Sequence, residues 1–366
     1  MPQDSGFSAI PDWDPDIDDT LVCRAVRAET HDVKTFVFSA LRPCLFRFRP
    51  GQFITLDVPV GGPAGGEVIQ RSYTIASSAA RPFRIAITVK RVPGGPVSNW
   101  LHDTLKPGDR IRAVGPLGDF TPSDRSDTGR YLFLSGGSGI TPLMSMTRTF
   151  DDLGDDHDIV FVHAARTPAD IIFRKELEVL AGHGRRVRVA HVCEGLGGEP
   201  HWPGFTGRLS LPMLRLIAPD LMEREVFVCG PSPFMAAVRR FLEESGFDMD
   251  RYHQESFNFE ELCTESGPVA VEAAAPAAGL GFRVEFARTG RVIDCPPGST
   301  VIEAATAADI RVPVSCTRGL CGTCKTKLLS GTVDMHASGG IRKREIDQGL
   351  VLLCCSRPTS DLVIDR

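Results

Sequence analysis

The chain has 366 residues, 42% hydrophobic and 24% charged, which is an ordinary globular composition and enough length for two or three domains with their own cores. Its formal charge of −5 is concentrated at one end: the first nineteen residues carry six aspartates (Asp4, Asp12, Asp14, Asp16, Asp18, Asp19) and no lysine or arginine, and the rest balances 41 basic against 40 acidic residues. A balanced body excludes a nucleic-acid binder, no apolar run reaches membrane-span length, and the lack of a signal-peptide pattern predicts a cytoplasmic protein.

Residues 1–19 are expected to form an acidic, flexible leader. From 20 to 125, short β-rich runs with turn residues between them predict a small antiparallel β-barrel: Thr20–Val26, Thr35–Ser39, Gln52–Val58, Ser72–Ala76, Phe83–Lys90 and Asp109–Val114, with one helix over Val97–Thr104 capped by Ser98. Within it Arg71 and Tyr73 share one strand face and Ser72 and Thr74 the other, offering a guanidinium for phosphate, an aromatic plane and hydroxyls, which are what a flavin requires. Lys90 and Gly95 then lead into Val97 and Ser98 at a helix start, where backbone N–H groups can hold a pyrophosphate and so favour FAD over FMN. Singly, each feature also suits an ordinary strand or turn. In this order they resemble the flavin domain of the ferredoxin-NADP reductase superfamily, with Gly115–Phe120 matching its closing turn.

From 126 to 260 the texture changes. The apolar strand Arg130–Leu134 runs into a loop with Gly137, Gly139 and Thr141, and then a helix; Gly-x-Gly-x-x-Pro is not the dinucleotide fingerprint, so the loop alone decides little. Strands at Asp158–His163, Arg186–His191 and Glu225–Cys229, alternating with helices at Asp170–Ala181, Pro212–Ala218 and Ser232–Ser245, predict an α/β doubly wound domain. Its last strand ends in Cys229, Gly230 and Pro231, at the edge where such folds bind ligands. A buried cysteine there is ordinarily a small hydrophobe. The superfamily resemblance implies that Cys229 lies beside the nicotinamide, that Thr74 stands near the flavin's redox nitrogen, and that Glu255 and Phe257 abut the flavin. Glu194, after the strand ending at His191, would repel a 2′-phosphate and favours NADH, whereas Arg166 could pair with that phosphate and leaves NADPH open.

Residues 261–280, small and nonperiodic, read as a linker, and 281–366 as a third domain with a hairpin (Phe282–Phe286, Arg291–Asp294) and a helix over Thr300–Ala308. Cys316, Cys321 and Cys324 are spaced CxxxxCxxC on a glycine-bearing loop, and Cys354 and Cys355 follow thirty residues later. That spacing suits a plant-type [2Fe-2S] cluster; structural zinc, the alternative, ordinarily uses two CxxC-type pairs. The domain resembles a plant-type ferredoxin, which implies an α+β (β-grasp) fold and, aligned on Pro358–Asp361, makes Cys354 the fourth ligand and Cys355 the spare. The seven cysteines outside the ligand set are expected to be free thiols in a reducing compartment.

The domain order is similar to reductase components of Rieske-type oxygenases. It implies electron flow from NADH through flavin and cluster to an oxygenase, with a haem monooxygenase or hybrid-cluster protein as alternative acceptor, and a redox sensor or zinc-stabilised binding protein as the alternative of another class. Residues 281–366 hold 12 basic against 9 acidic side chains, unlike acidic ferredoxins, and Arg318 in the cysteine loop predicts an acidic docking patch on the partner.

Overall fold

A computed structural model describes residues 10–60, 67–122, 129–182, 186–257, 281–314, 319, 322–337, 341 and 343–366. The proposed linker, Cys263, Cys316, Cys321 and Arg318 lie outside them. The described residues fall into two compact units, one within Met1–Ile69 and Tyr73–Phe257, the other within Gln70–Ser72 and Asn258–Arg366.

The first unit opens with the barrel: β1 (Thr20–Ala28), β2 (Val33–Ala40), β3 (Phe53–Val60), β4 (Glu67–Thr74), β5 (Ile85–Lys90) and β6 (Arg110–Leu117), in the order β4-β3-β6-β1-β2-β5. A bridge from Ile75, just past β4, to Ile87 of β5 joins the two outermost strands. Phe36, Phe38, Ile54, Leu56 and Ile87 fill the interior, as period-2 alternation requires. The helix α1 (Pro96–Asp103) starts earlier than expected: Pro96 sits in its first turn and Gly95, not Ser98, is the N-cap. Proline's fixed φ and missing N–H suit that first position. Part of the acidic leader is also packed. Trp13 is 8% exposed against Phe46, its indole donates to the Asp18 carbonyl at 2.9 Å, and Asp19 pairs with Arg112 at 3.0 Å. A buried indole outweighs the local excess of aspartate.

The same unit continues with an all-parallel sheet ordered β10-β9-β8-β7-β11-β12: β7 (Arg130–Gly136), β8 (Asp158–Ala165), β9 (Val187–Cys193), β10 (Phe205–Thr206), β11 (Glu225–Cys229) and β12 (Tyr252–Glu255). Its helices are α2 (Ile140–Leu153), α3 (Arg174–Gly182), α4 (Leu211–Ile217) and α5 (Ser232–Glu244). Apolar cores lie on both faces, Phe133, Phe161 and Phe227 on one and Leu132, Val160 and Val228 on the other. The helix expected from Asp170 begins at Arg174. Asp170 instead closes a capping box with Thr167 on a separate turn, and Phe173 takes a φ of 58°. At the N-terminal edge, the fully buried Arg224 donates to the Tyr131 and Asp158 carbonyls at 3.0 and 2.9 Å and to the carboxylates of Asp158 and Asp220 at 2.6 and 2.7 Å, tying β7 and β8 to the turn before β11.

The second unit is a mixed sheet ordered β14-β13-β19-β15-β17: β13 (Phe282–Phe286), β14 (Arg291–Cys295), β15 (Lys325–Ser330), β17 (Leu350–Leu352) and β19 (Leu362–Ile364), beside a small pair, β16 (Val333–Met335) and β18 (Ser356–Pro358). The helix Val301–Ala307 packs on it and begins with a capping box between Thr300 and Glu303. No helix among the described residues is long and apolar enough to cross a membrane.

Candidate functional site

The parallel strands end in a polar row. In register across the sheet, His191 of β9, His163 of β8, Ser135 of β7, Cys229 of β11 and Glu255 of β12 are successive partners. Side chains two apart on a strand share a face, so the row continues the face of Phe133, Phe161 and Phe227. Ser135 Oγ and His163 Nδ1, both fully buried, stand 2.8 Å apart. Burial, with some help from His191, pushes His163 down to about 3, and burial brings His191 to about 4, so both rings are neutral at pH 7. His163 Nε2 and His191 Nδ1 have no hydrogen-bond partner among the described residues. Burial raises the Cys229 thiol well above its usual range and the charge of Glu255 adds to this, so the sulfur is a neutral SH group and not a nucleophilic thiolate.

Strand order reverses between β7 and β11, the point at which open α/β sheets bind ligands. A Cβ on Gly139 would stand 2.3 Å from the Cys229 carbonyl oxygen, so only glycine lets this loop cross the end of β11. A Cβ on Gly230 would stand 3.0 Å from the Gly136 nitrogen, and Pro231 caps α5. Gly137, at a φ of 52°, has no atom of the described residues within 4 Å of where a Cβ would be, leaving its backbone open to a ligand. Thr141 Oγ1 donates to the Ser138 carbonyl at 3.2 Å and draws the loop onto the start of α2. The N-termini of α2 and α5 therefore flank the reversal point, a setting suited to a diphosphate.

On the barrel, Thr74 ends β4. It is 5% exposed, and its Oγ1 has no partner among the described residues, a buried hydroxyl that a flavin ring nitrogen would satisfy. Tyr73 packs on the barrel core, Arg71 Nη1 donates to the Gln70 carbonyl at 2.8 Å, Ser72 is half-buried, and Phe257 packs beside the core of the parallel sheet. Val97 is buried in the barrel and Ser98 Oγ accepts from the Val92 N–H at 3.1 Å, so their side chains are committed, and what α1 offers a phosphate is the N–H groups of its first turn. Lys90 pairs with Asp32 at 3.6 Å.

Sequence reasoning missed Arg148 on α2. It donates to the Ala76 carbonyl, just past Thr74, and to both oxygens of Glu176 at 2.7 and 2.6 Å. Ser145 Oγ donates to the Ser77 carbonyl and Ala79 N–H to Thr149 Oγ1, each at 2.9 Å, so one face of α2 holds the end of β4. The signal was there: Ser145, Arg148 and Thr149 recur at helical spacing in α2. Ser135, His163 and His191 were missed too, although each is a polar residue near the C-terminal end of its strand. Arg166, weighed above as a partner for a 2′-phosphate against the preference for NADH, is held by Asp170 at 2.7 Å and Asp32 at 3.4 Å, and Glu194 faces Arg208 at 3.7 Å.

In the second unit Cys324 and Cys354 are buried, and backbone N–H groups point at their sulfurs: Gly319 to Cys354 Sγ at 3.2 Å, Cys354 to Cys324 Sγ at 3.4 Å. Amide donors to sulfur are what a negatively charged thiolate or cluster requires. Cys355 Sγ lies 3.7 Å from the Leu352 carbonyl oxygen.

Three family models match the chain: an oxidoreductase FAD-binding domain over 22–121, an oxidoreductase NAD-binding domain over 133–240, and a 2Fe-2S iron-sulfur cluster binding domain over 284–359. The chain is 47% identical to a glycine betaine monooxygenase reductase subunit of Pseudomonas aeruginosa, with 94% of each chain covered. It is 40% identical to a stachydrine N-demethylase reductase subunit of Rhizobium meliloti, covering 92% of this chain and 94% of that one. Among solved structures it is similar to phthalate dioxygenase reductase, described as modular for electron transfer from pyridine nucleotides to [2Fe-2S] (TM-score 0.58, 25% identity, 97% of this chain and 100% of that one). It is also similar to an intact type IV self-sufficient cytochrome P450 monooxygenase (TM-score 0.64, 25% identity, 95% of this chain and 41% of that one).

Proposed function

Because the chain belongs to the family of flavin and iron-sulfur reductases that includes the glycine betaine monooxygenase reductase subunits, we propose that it supplies electrons to a Rieske-type oxygenase acting on glycine betaine or a close analogue. It is an NAD(P)H-dependent oxidoreductase with FAD, NADH and a [2Fe-2S] cluster as its cofactors, and its partner is an oxygenase component. When bound, the flavin and the cluster would together convert a hydride taken from NADH into two electrons released one at a time.

The protein's own residues divide this work. Gly137, Gly139 and Thr141, with Gly230 and Pro231, would seat the dinucleotide at the reversal point of the sheet. Cys229, as a neutral SH group, and Glu255 would border the nicotinamide without attacking it. Thr74 Oγ1 would donate to the flavin ring, Tyr73 and Phe257 would cover it, and Arg71, Ser72, Lys90 and the Gly95–Ser98 turn would hold its phosphates. Arg148, bonded to the Ala76 carbonyl, would anchor the end of β4 that carries Thr74. Cys316, Cys321, Cys324 and Cys354 would ligate the iron. On this reading the flavin barrel spans 20–125, the nicotinamide domain 126–260 and the ferredoxin domain 281–366, in a cytoplasmic protein.

The observation that carries the single-electron output is the pair of N–H groups aimed at Cys354 and Cys324. Cys354→Ser should abolish reduction of the partner protein and bleach the cluster's visible absorption while sparing reduction of a small dye; Cys355→Ser should spare all three. Iron lost from the Cys355 variant and retained by the Cys354 variant would reverse the ligand assignment. A haem monooxygenase acceptor is the second reading, favoured by the likeness to the self-sufficient cytochrome P450. Stopped-flow mixing of the reduced protein with purified Rieske and haem oxygenases separates the two. Arg318→Glu should slow delivery to the right partner most at low salt, where charges act over about 30 Å.

A further inference from the structure

Five charged or titratable side chains meet where the barrel faces the loop after β8. Asp32, in the turn between β1 and β2, lies 3.4 Å from Arg166, 3.6 Å from Lys90 and 3.8 Å from His31; Asp170 lies 2.7 Å from Arg166 and 3.8 Å from His31. His31, Asp32 and Asp170 stand close enough together to suit a metal, but Arg166 and Lys90 already serve the carboxylates. Asp32 is also fixed in place, its Oδ1 accepting from Thr30 Oγ1 at 2.9 Å and its carbonyl from the Arg91 N–H at 2.7 Å.

Arg166 follows the second strand of the dinucleotide unit, where folds of this type read the adenosine ribose: an acidic residue there suits a 2′-hydroxyl and an arginine a 2′-phosphate. The loop after β9 is bonded to it, Glu194 N–H to the Ala165 carbonyl at 3.0 Å and Gly195 N–H to the Arg166 carbonyl at 2.9 Å, so Arg166 and Glu194 share one corner. An arginine 58% exposed at that corner would by itself invite NADPH, yet it is paired with two carboxylates, one of them shared with Lys90.

We propose that Asp32, a residue of the flavin barrel, is a positioning residue for dinucleotide specificity: by holding Arg166 and neutralising it, Asp32 excludes the 2′-phosphate of NADPH and leaves the 2′-hydroxyl of NADH unopposed. Discrimination is thus built partly by the neighbouring domain. Asp170 holds Arg166 more closely but also closes the Thr167 turn, so its replacement would disturb the loop, whereas Asp32→Asn removes one charge and little volume. This rests on placing the dinucleotide at the ends of β7, β8 and β11.

The test is steady-state dye reduction by the full chain with flavin bound, using NADH and NADPH. Asp32→Asn should lower KM for NADPH about five-fold, the scale of one unit charge acting across several ångströms of partly wet surface, with kcat and KM for NADH within about two-fold. Asp32→Glu should behave as the parent, and adding Arg166→Ala to Asp32→Asn should erase the gain. Asp32→Ser replaces Asn if that variant folds poorly, and flavin absorbance per chain guards against loss of the Lys90 contact. An unchanged KM for NADPH with full flavin content, or a gain that survives in the double variant, overturns the proposal. Gly139→Val separates the two levels: if it oxidises NADH as the parent does, the dinucleotide placement fails, and if it does not while Asp32→Asn keeps the parental KM for NADPH, only the role of Asp32 fails.

Discussion

The two edges of the parallel sheet handle buried polarity in opposite ways. At the N-terminal edge, Arg224 is wholly buried; desolvation alone would lower its pKa, but hydrogen bonds and charge from Asp220 and Asp158 outweigh it, and two carbonyls take further N–H groups. At the C-terminal edge, the row from His191 to Glu255 is neutral over most of its length, and ring nitrogens of His163 and His191 lack partners among the described residues. One edge is finished and holds strands together. The other carries unspent hydrogen-bonding capacity where two helix N-termini and a glycine loop converge, as a site that must accept a ligand does.

The largest effect expected is at the finished edge. Arg224→Ala takes the partner from Asp220 and from the Tyr131 and Asp158 carbonyls and should cost about 3 kcal/mol in urea unfolding, while NADH oxidation per folded molecule stays at the parental level. If activity falls with stability unchanged, the division between edges is wrong. Next comes the open edge. Gly139→Val places a side chain against the Cys229 carbonyl and should lower kcat/KM for NADH by about 100-fold with the cluster spectrum intact. Gly137→Ala, where a Cβ meets nothing, should lose only about 1–2 kcal/mol to left-handed backbone strain.

Acid should find the open edge first. His163 takes a proton near pH 6.5 when unfolded but only near pH 3 when folded, so the unfolded state binds more protons between those values. Its contribution is complete above pH 6.5 and is lost as pH falls toward 3, at up to about 1.4 kcal/mol per pH unit, with His191 adding in the same direction. His163→Gln should therefore flatten the fall in urea midpoint between pH 7 and pH 5; an unchanged fall would remove His163 as its source. The smallest change expected is from Glu194→Arg, an exposed position facing Arg208, which should shift the NADPH to NADH preference only a few-fold, read from the ratio of kcat/KM values.

The residues decide most where a site is local. The CxxxxCxxC spacing points to its cluster directly, whereas the glycine loop and the Arg71–Thr74 tetrapeptide point to their ligands only in combination and through the family resemblance; strand and helix periods give the barrel and the α/β domain, and the resemblance gives the β-grasp fold. Trp13 on the barrel, Gly95 as cap, the late start of α3 and the strands β10 and β12 were not legible, since packing and caps compete with propensity over only a few residues. What only the tertiary structure decided are juxtapositions across long separations: the row from His191 to Glu255 set by parallel register, the seam drawn by Arg148, and Arg166 taken up by Asp32 from another domain. The reason is physical. A side chain's period says which face it occupies, but its partner is chosen by which strand or loop the fold lays beside it, and that depends on burying the apolar faces of the whole unit at once.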